Sequence, residues 1–422
     1  MSISELRIWL GSNYGWLLIF AFVLLLPTNA SSMVPMTVMA VIGFYQLTQR
    51  PIEVWCDPVQ RLLGILFLCI WLPMILSLID AVYLPRSLYT VFSFLLYFPA
   101  SIFMIREARK RDVQDKLLIA ITIIVAFWCI DAMIQLLIGR DLMGYPLIEG
   151  NVTGLFYSKF RLGHVLAALS PLFFEGIRRY VVNYRWAWLL IVLLILTVLF
   201  TGRRVAWIMF ATAAAIYAIY LYRIGFWKYW KKPILVVGVS VMLLIPASLF
   251  YAPFLQRVEQ TLGLFSGDYQ AINAATSDRL PLWNTALAIT ADHWLNGVGA
   301  RGFRYICQEY APKEALSADS QPIGCSTHPH LMLLEVTAEA GFLGVIGYIL
   351  FGWFLWHHVR KLPFEGRCYV VPWSLAVLVA MSPFNAHLAF YGSYWSSISW
   401  WLITLTLAMS DKWMVSHHSL SR

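Results

Sequence analysis

Charge is what this sequence has least of: 13% of its 422 residues are Asp, Glu, Lys or Arg, against 60% that are apolar, with a mean hydropathy of +0.69. A soluble domain carries roughly a quarter of its residues charged, so a water-soluble globular protein is excluded. Cysteine is sparse as well, six in the whole chain; His357 and His358 have no Cys or carboxylate neighbour at metal spacing, and "HPH" is thin as a metal motif. The paired acidic motif that holds a divalent cation on a nucleotide sugar is missing from the loops, as are internal repeats and low-complexity tracts. No metal or other cofactor is therefore expected.

What is there is a succession of long, nearly uncharged runs. Backbone polar groups in lipid must be satisfied within their own segment, and these runs do not alternate as barrel strands do, so they read as helices. The expected class is an all-α polytopic membrane protein of about twelve transmembrane helices. They are placed near 13–28, 33–49, 61–80, 88–105, 116–138, 163–177, 186–201, 205–222, 233–252, 328–356, 369–388 and 394–411. The first run, "GWLLIFAFVLLLP", passes into the second after a short polar break and reads as a helical hairpin rather than a signal peptide.

The net charge of +9 is a topology signal and gives no reason to expect nucleic acid. Most Lys and Arg fall in alternate connections or at the ends: Arg7; Arg50 and Arg61; Arg106, Arg109, Lys110, Arg111 and Lys116; Arg178, Arg179 and Arg185; Arg223, Lys228, Lys231 and Lys232; Arg360, Lys361 and Arg367; Lys412 and Arg422. The positive-inside rule then puts those connections and both termini in the cytoplasm. Residues 1–252 would hold nine spans, 253–327 one long outer loop, and 328–422 the last three spans. So long a loop needs helices of its own. "SDRLPLWNTALAITADHW" supplies one, with Ser277 or Asp278 as its cap. Cys307 and Cys325 share this loop and could pair in an oxidising compartment, while Cys69 and Cys129 read as small core residues.

Three sets of residues could carry chemistry. "LFTGRRVAWIMF" puts Arg203 and Arg204 in a tight outer turn, against the inside bias. They either serve function or snorkel to lipid phosphates. Arg279 has the planar fork that grips phosphate, but taken alone it could equally pair with Asp278 or Asp292. In "STHPHLMLLEVTAEAGFLG", His330 could take a proton from a hydroxyl near neutral pH, or be the polar start of a helix; the second reading is stronger for His328. Glu339 lies too far along the same run to share a site with His330 and reads as a buried anchor to a neighbouring span. Asp131 could be a proton relay or a counter-ion to an outer arginine. "GVGARG" fits the dinucleotide pattern but lacks the strand-turn-helix setting, so its glycines read as a turn that directs Arg301 and Arg304.

Taken together, "TGRRVAW", "DRLPLWNTAL", "NGVGARGF" and "HPHLMLLEVTAEAGFLG" around one long late loop resemble the O-antigen ligase and polymerase superfamily, most clearly from about residue 195 to 350. The T-G-x-R arginine falls on Arg204, the loop arginine on Arg279 and the histidine on His330, with Leu334, Glu339 and Gly341 in register. Leu331 stands where the family usually has asparagine.

The resemblance implies metal-independent glycosyl transfer on the periplasmic face of a bacterial inner membrane. The donor would be an undecaprenyl-pyrophosphate-linked glycan and the acceptor lipid A-core, with inversion at the anomeric carbon. Arg204 and Arg279 would hold the pyrophosphate, and His330 would be the base. Arg203, Lys159, Arg161, Arg301, Arg304, Trp283 and His328 are candidate substrate or lipid contacts. An O-antigen polymerase or a protein O-oligosaccharyltransferase would use the same donor. A transporter lined by Asp80, Asp131, Glu335 and Glu339 is the rival of another class.

Overall fold

The computed structural model describes residues 3–28, 31–181, 183–184, 186–226, 252–311, 324–386 and 388–419. Among them the regular structure is helical: α1 Ile3–Leu24, α2 Met33–Gln49, α3 Pro51–Cys56, α4 Pro58–Leu76, α5 Leu84–Phe94, α6 Tyr97–Ala108, α7 Arg111–Ile138, α8 Leu162–Gly176, α9 Ala187–Phe200 and α10 Arg204–Arg223. After the expected ninth span, which lies outside the described residues except for residue 252, come α11 Ala252–Leu262, α12 Tyr269–Ala275, α13 Leu280–Asp292 and α14 Phe303–Tyr310. Three long helices close the chain, α15 Met332–Lys361, α16 Phe364–Ala380 and α17 Ser393–Ser419. Among the described residues five stretches are long and apolar enough to cross a membrane: Pro58–Leu76, Leu84–Ala108, Asp112–Ile138, Arg204–Arg223 and Met332–Lys361.

The helix ends follow from local chemistry. Asp57 caps α4 by accepting from the Val59 and Gln60 amides, with Pro58 in the first turn, where its missing N–H costs nothing. Gly139 ends α7 in the left-handed conformation and bonds back to the Gln135 carbonyl. Between the helices the core is filled by large rings, among them Trp128, Trp373, Trp395 and Trp401, all fully buried.

The basic side chains gather at one end. There Arg109 bridges Asp57 and Asp411, Lys116 reaches Asn13 at 3.1 Å, and Tyr180 donates to Asp115 at 2.7 Å. Glu175, fully buried, takes Arg178 at 2.6 Å, Arg179 at 2.5 Å and the Tyr217 hydroxyl at 2.9 Å. Asn13 and Asp411 both sit at this end, so α1 and α17 begin and finish on the same side of the molecule.

At the opposite end the segment 252–311 forms a cap with its own apolar cluster of Leu282, Ala286, Ile289, Val298, Phe303, Ile306 and Cys307, packed on Leu334 and Ala338 of α15. A Cys307–Cys325 disulfide closes it. The cap is also tied into α15 through backbone. That helix breaks at Gly341 (φ 62°, ψ −160°), and the freed amides of Phe342 and Leu343 donate to the Trp294 and Leu295 carbonyls at 2.7 and 3.1 Å. A left-handed φ and the contact with Leu295 both require glycine there. Val298 N–H returns a bond to Ala338 at 3.0 Å.

Three expectations are corrected here. Neither Ser277 nor Asp278 caps α13: Arg279 occupies the cap position, and Leu280 N–H donates to Asn273 Oδ1 at 3.1 Å. The reason is competition, since Ser277 Oγ is taken by Arg204 at 2.8 Å and Asp278 by Asn273 at 3.0 Å. Glu339 is a buried anchor, but its partner is the cap, through the Arg301 amide at 2.6 Å, and not a neighbouring span. Asp131 is not a counter-ion to an arginine among the described residues; it accepts from the Leu142 and Leu155 amides at 3.0 and 3.1 Å and pins the 139–161 connection.

Candidate functional site

A cavity of about 1210 Å³ opens between the cap and the helices. Its polar mouth is lined by Lys159, Arg161, His164, Arg203, Arg204, Arg279, Trp283 and His330. From there an apolar groove runs between α10 (Val205, Ile208, Met209, Ile216), α15 (Phe351, Leu355, Val359) and α16 (Val371, Leu375, Leu378). Ile216 lies twelve residues from Arg204, so at about 1.5 Å per residue the groove follows α10 for roughly 18 Å.

Each polar side chain has an identifiable support. The turn before α10 is tight because Gly202 has φ 64° and its α-carbon faces the Asn151 side chain, where no larger residue fits. Arg203 and Arg204 then leave in different directions, as successive residues at a helix start must. Arg204 reaches the cap, donating to Ala274 O at 3.2 Å and Ser277 Oγ at 2.8 Å. Arg203 lies 3.4 Å over the Phe160 ring, with the exposed Glu149 carboxylate at 4.0 Å. Arg161 stacks 3.9 Å over Tyr394. Arg279 donates to the Ala386 carbonyl.

Two of these guanidinium groups carry an electrostatic penalty. Burial lowers the Arg279 pKa, and the charge on Arg204 lowers it further. Burial also lowers that of Arg161, with Tyr394 opposing. Both keep their charge at any physiological pH, because an arginine starts from above 12. The arrangement therefore holds like charges near one another at partial burial, which an anion between them would relieve.

His330 introduces α15 from a left-handed backbone (φ 52°), a region that non-glycine residues occupy only a few per cent of the time. Its Nε2 lies 3.4 Å from Ser326 Oγ, and its ring centroid is 3.8 Å from that of His328. The chain that follows is held rigidly: Met332 and Leu333 donate to the Asn385 and Pro383 carbonyls at 2.9 and 3.0 Å. One turn on, fully buried Glu335 accepts from the Phe390 and Tyr391 amides at 2.9 and 3.1 Å. Glu335 thus fixes the segment 383–391, whose Ala386 carbonyl in turn receives Arg279.

The sequence-derived residues divide. His330, Arg204, Arg279, Arg203, Lys159, Arg161 and Trp283 meet in the cavity. Arg301, Arg304 and His328 do not line it. Arg301 is buried beside Glu335 at 3.8 Å, because the turn Gly297–Gly302 directs it inward onto two carboxylates. Arg304 donates to Thr327 O at 3.2 Å, and His328 is buried against Thr327 Oγ1 at 3.0 Å. Sequence reading missed Phe160, His164, Tyr394 and the 383–386 turn. Phe160 had a signal, an aromatic between two cations in "SKFRLGH"; the others sit in apolar context without a motif. No group of three metal-ligating side chains occurs among the described residues. Nor do the four acidic residues of the transport reading share a path: Asp80 is exposed, while Asp131, Glu335 and Glu339 each hold backbone amides.

Residues 189–349 match the family model described as O-antigen ligase. The matched segment contains Arg203, Arg204, Arg279 and His330, but not Lys159 or Arg161. No curated protein matches the chain.

Proposed function

We propose that the chain ligates a glycan from undecaprenyl pyrophosphate onto lipid A-core at the periplasmic face of a bacterial inner membrane. The observation that carries this reading is the meeting of Arg204, Arg279 and His330 at the mouth of an apolar groove. The basic end then faces the cytoplasm with both termini, and twelve spans place residues 253–327 as the periplasmic loop. The polyprenyl tail lies in the groove, which keeps the pyrophosphate at the mouth and in contact with lipid.

The donor already carries its leaving group, so the reaction needs no nucleotide and no metal. His330 takes the proton from an acceptor hydroxyl as that oxygen attacks the anomeric carbon. The bond from that carbon to the pyrophosphate oxygen breaks on the opposite face, and its electron pair goes to the pyrophosphate. Arg204 and Arg279 stabilise the charge that develops there. The products are a glycosylated acceptor with inverted configuration and undecaprenyl pyrophosphate. Trp283 and the ring of Phe160 supply flat surfaces on which sugar faces can rest.

The acceptor separates this reaction from its sisters, and a deletion strain tells them apart. Loss of long lipopolysaccharide ladders over an intact core, with lipid-linked glycan accumulating, is the expected profile. Core capped by a single repeat would mean a polymerase, loss of protein glycosylation a protein oligosaccharyltransferase, and an unchanged profile would sink all three.

A further inference from the structure

The cavity holds more positive charge than a pyrophosphate diester can match. Lys159, Arg161, Arg203, Arg204 and Arg279 line it, and no carboxylate does among the described residues. The acidic residue beside it, Glu149, is exposed and comes only to 4.0 Å of Arg203. A pyrophosphate between two alcohols has one ionisable oxygen on each phosphorus. Two arginines answer it, and Lys159, Arg161 and Arg203 line the same cavity beside them.

Those three are held by other supports than the donor pair. Arg204 and Arg279 are braced by the cap and the C-terminal turn, on Ala274, Ser277 and Ala386. Lys159 and Arg161 belong to the 139–161 connection, held at its base by Asp131 and by Gln135, which accepts from the Thr153 and Gly154 amides at 2.8 Å each. Arg203 joins them by stacking on Phe160, and Arg161 by stacking on Tyr394. Stacking fixes the plane of a guanidinium while leaving its charge to act along its edge. The wall is built, cationic and separately supported.

We propose that Lys159, Arg161 and Arg203 form a second anion subsite, which takes a phosphate on the sugar head of the acceptor glycolipid. The proposal rests on the transfer reading above. Two phosphate anchors on facing walls would set the distance between acceptor hydroxyl and anomeric carbon, the ordering that transfer between two lipid-held substrates needs. Discrimination between acceptors would then lie in where their phosphates stand.

The test uses the full chain in nanodiscs of zwitterionic lipid, with acceptor glycolipid either intact or phosphatase-treated. Acceptor KM, donor KM and equilibrium acceptor binding are measured for the wild type, Lys159→Gln, Arg203→Gln and the charge-keeping Lys159→Arg. Each Gln variant should raise KM for intact acceptor about tenfold, the scale of one charge-assisted hydrogen bond, and leave donor KM and the phosphatase-treated acceptor unchanged. Lys159→Arg should recover most of the loss. A rise shared by both acceptors, or one that appears in donor KM, overturns the subsite. So does an effect that emerges only when anionic phospholipid is added, which would make this a headgroup site. Binding needs no turnover, so phosphate-dependent binding without transfer would refute the transfer reading alone.

Discussion

At the basic end Arg178 and Arg179 close on one buried carboxylate, Glu175, at 2.6 and 2.5 Å; at the cavity end Arg161, Arg203, Arg204 and Arg279 gather where no carboxylate among the described residues lines the wall. The electrostatic consequences are opposite. Burial works against the Arg178 charge, but Glu175 outweighs it and raises the pKa. Burial lowers that of Arg279, and the charge on Arg204 lowers it again. One cluster is complete in the folded chain and serves stability. In the proposed reading the other is completed by the substrate's anion, which is how a binding site would differ from a strut.

That contrast can be broken from either side. The largest effect expected is on catalysis: His330→Ala should lower transfer by about two to four decades, the range of general base catalysis, with donor binding kept. On the structural side, Glu175→Gln removes the anion from two arginines and the Tyr217 hydroxyl; a loss of about 3–5 kcal/mol of stability follows for a broken buried pair. A fall in the thermal midpoint in detergent would register it, with the residual activity per folded molecule unchanged. Arg204→Ala and Arg279→Ala should behave inversely. Each should cost roughly two decades of turnover while the midpoint moves by little, since the lost charge had been a burden to the empty cavity. Added inorganic pyrophosphate should raise the midpoint of the wild type and not that of these variants. The smallest effect is at the cap. Reducing Cys307–Cys325, or Cys307→Ser, frees the segment leading to His330 and should slow transfer a few-fold without unfolding the helices; an unchanged rate would show that Glu335 and the Gly341 junction suffice.

Much of this was legible in the chain because membrane segments announce themselves. A helix lies under each of the expected spans that falls on described residues, and α2 has the bounds expected for the second, Met33–Gln49. Arg204 and His330 stood out for a different reason, one as a charge in a tight outer turn and the other as the start of an apolar run, while Arg279 stood out only beside them and through the resemblance; the three share one cavity. What could not be read was partnership across the sequence. Nothing near Arg301 says that its amide meets Glu339, and nothing near Arg279 names Ala386. Carboxylates in apolar runs invited a transport reading until their partners proved to be backbone amides at 2.6–3.1 Å. The capping of α13 failed in prediction because both polar candidates had better partners elsewhere.

The central claim is that His330 acts on an acceptor hydroxyl while Arg204 and Arg279 hold the donor. Purified protein in nanodiscs, given lipid-linked glycan and lipid A-core without nucleotide or added metal, tests it directly. Ligated product is expected from the wild type and about two to four decades less from His330→Ala, with donor affinity equal in the two. Product formed by His330→Ala at the wild-type rate would contradict it.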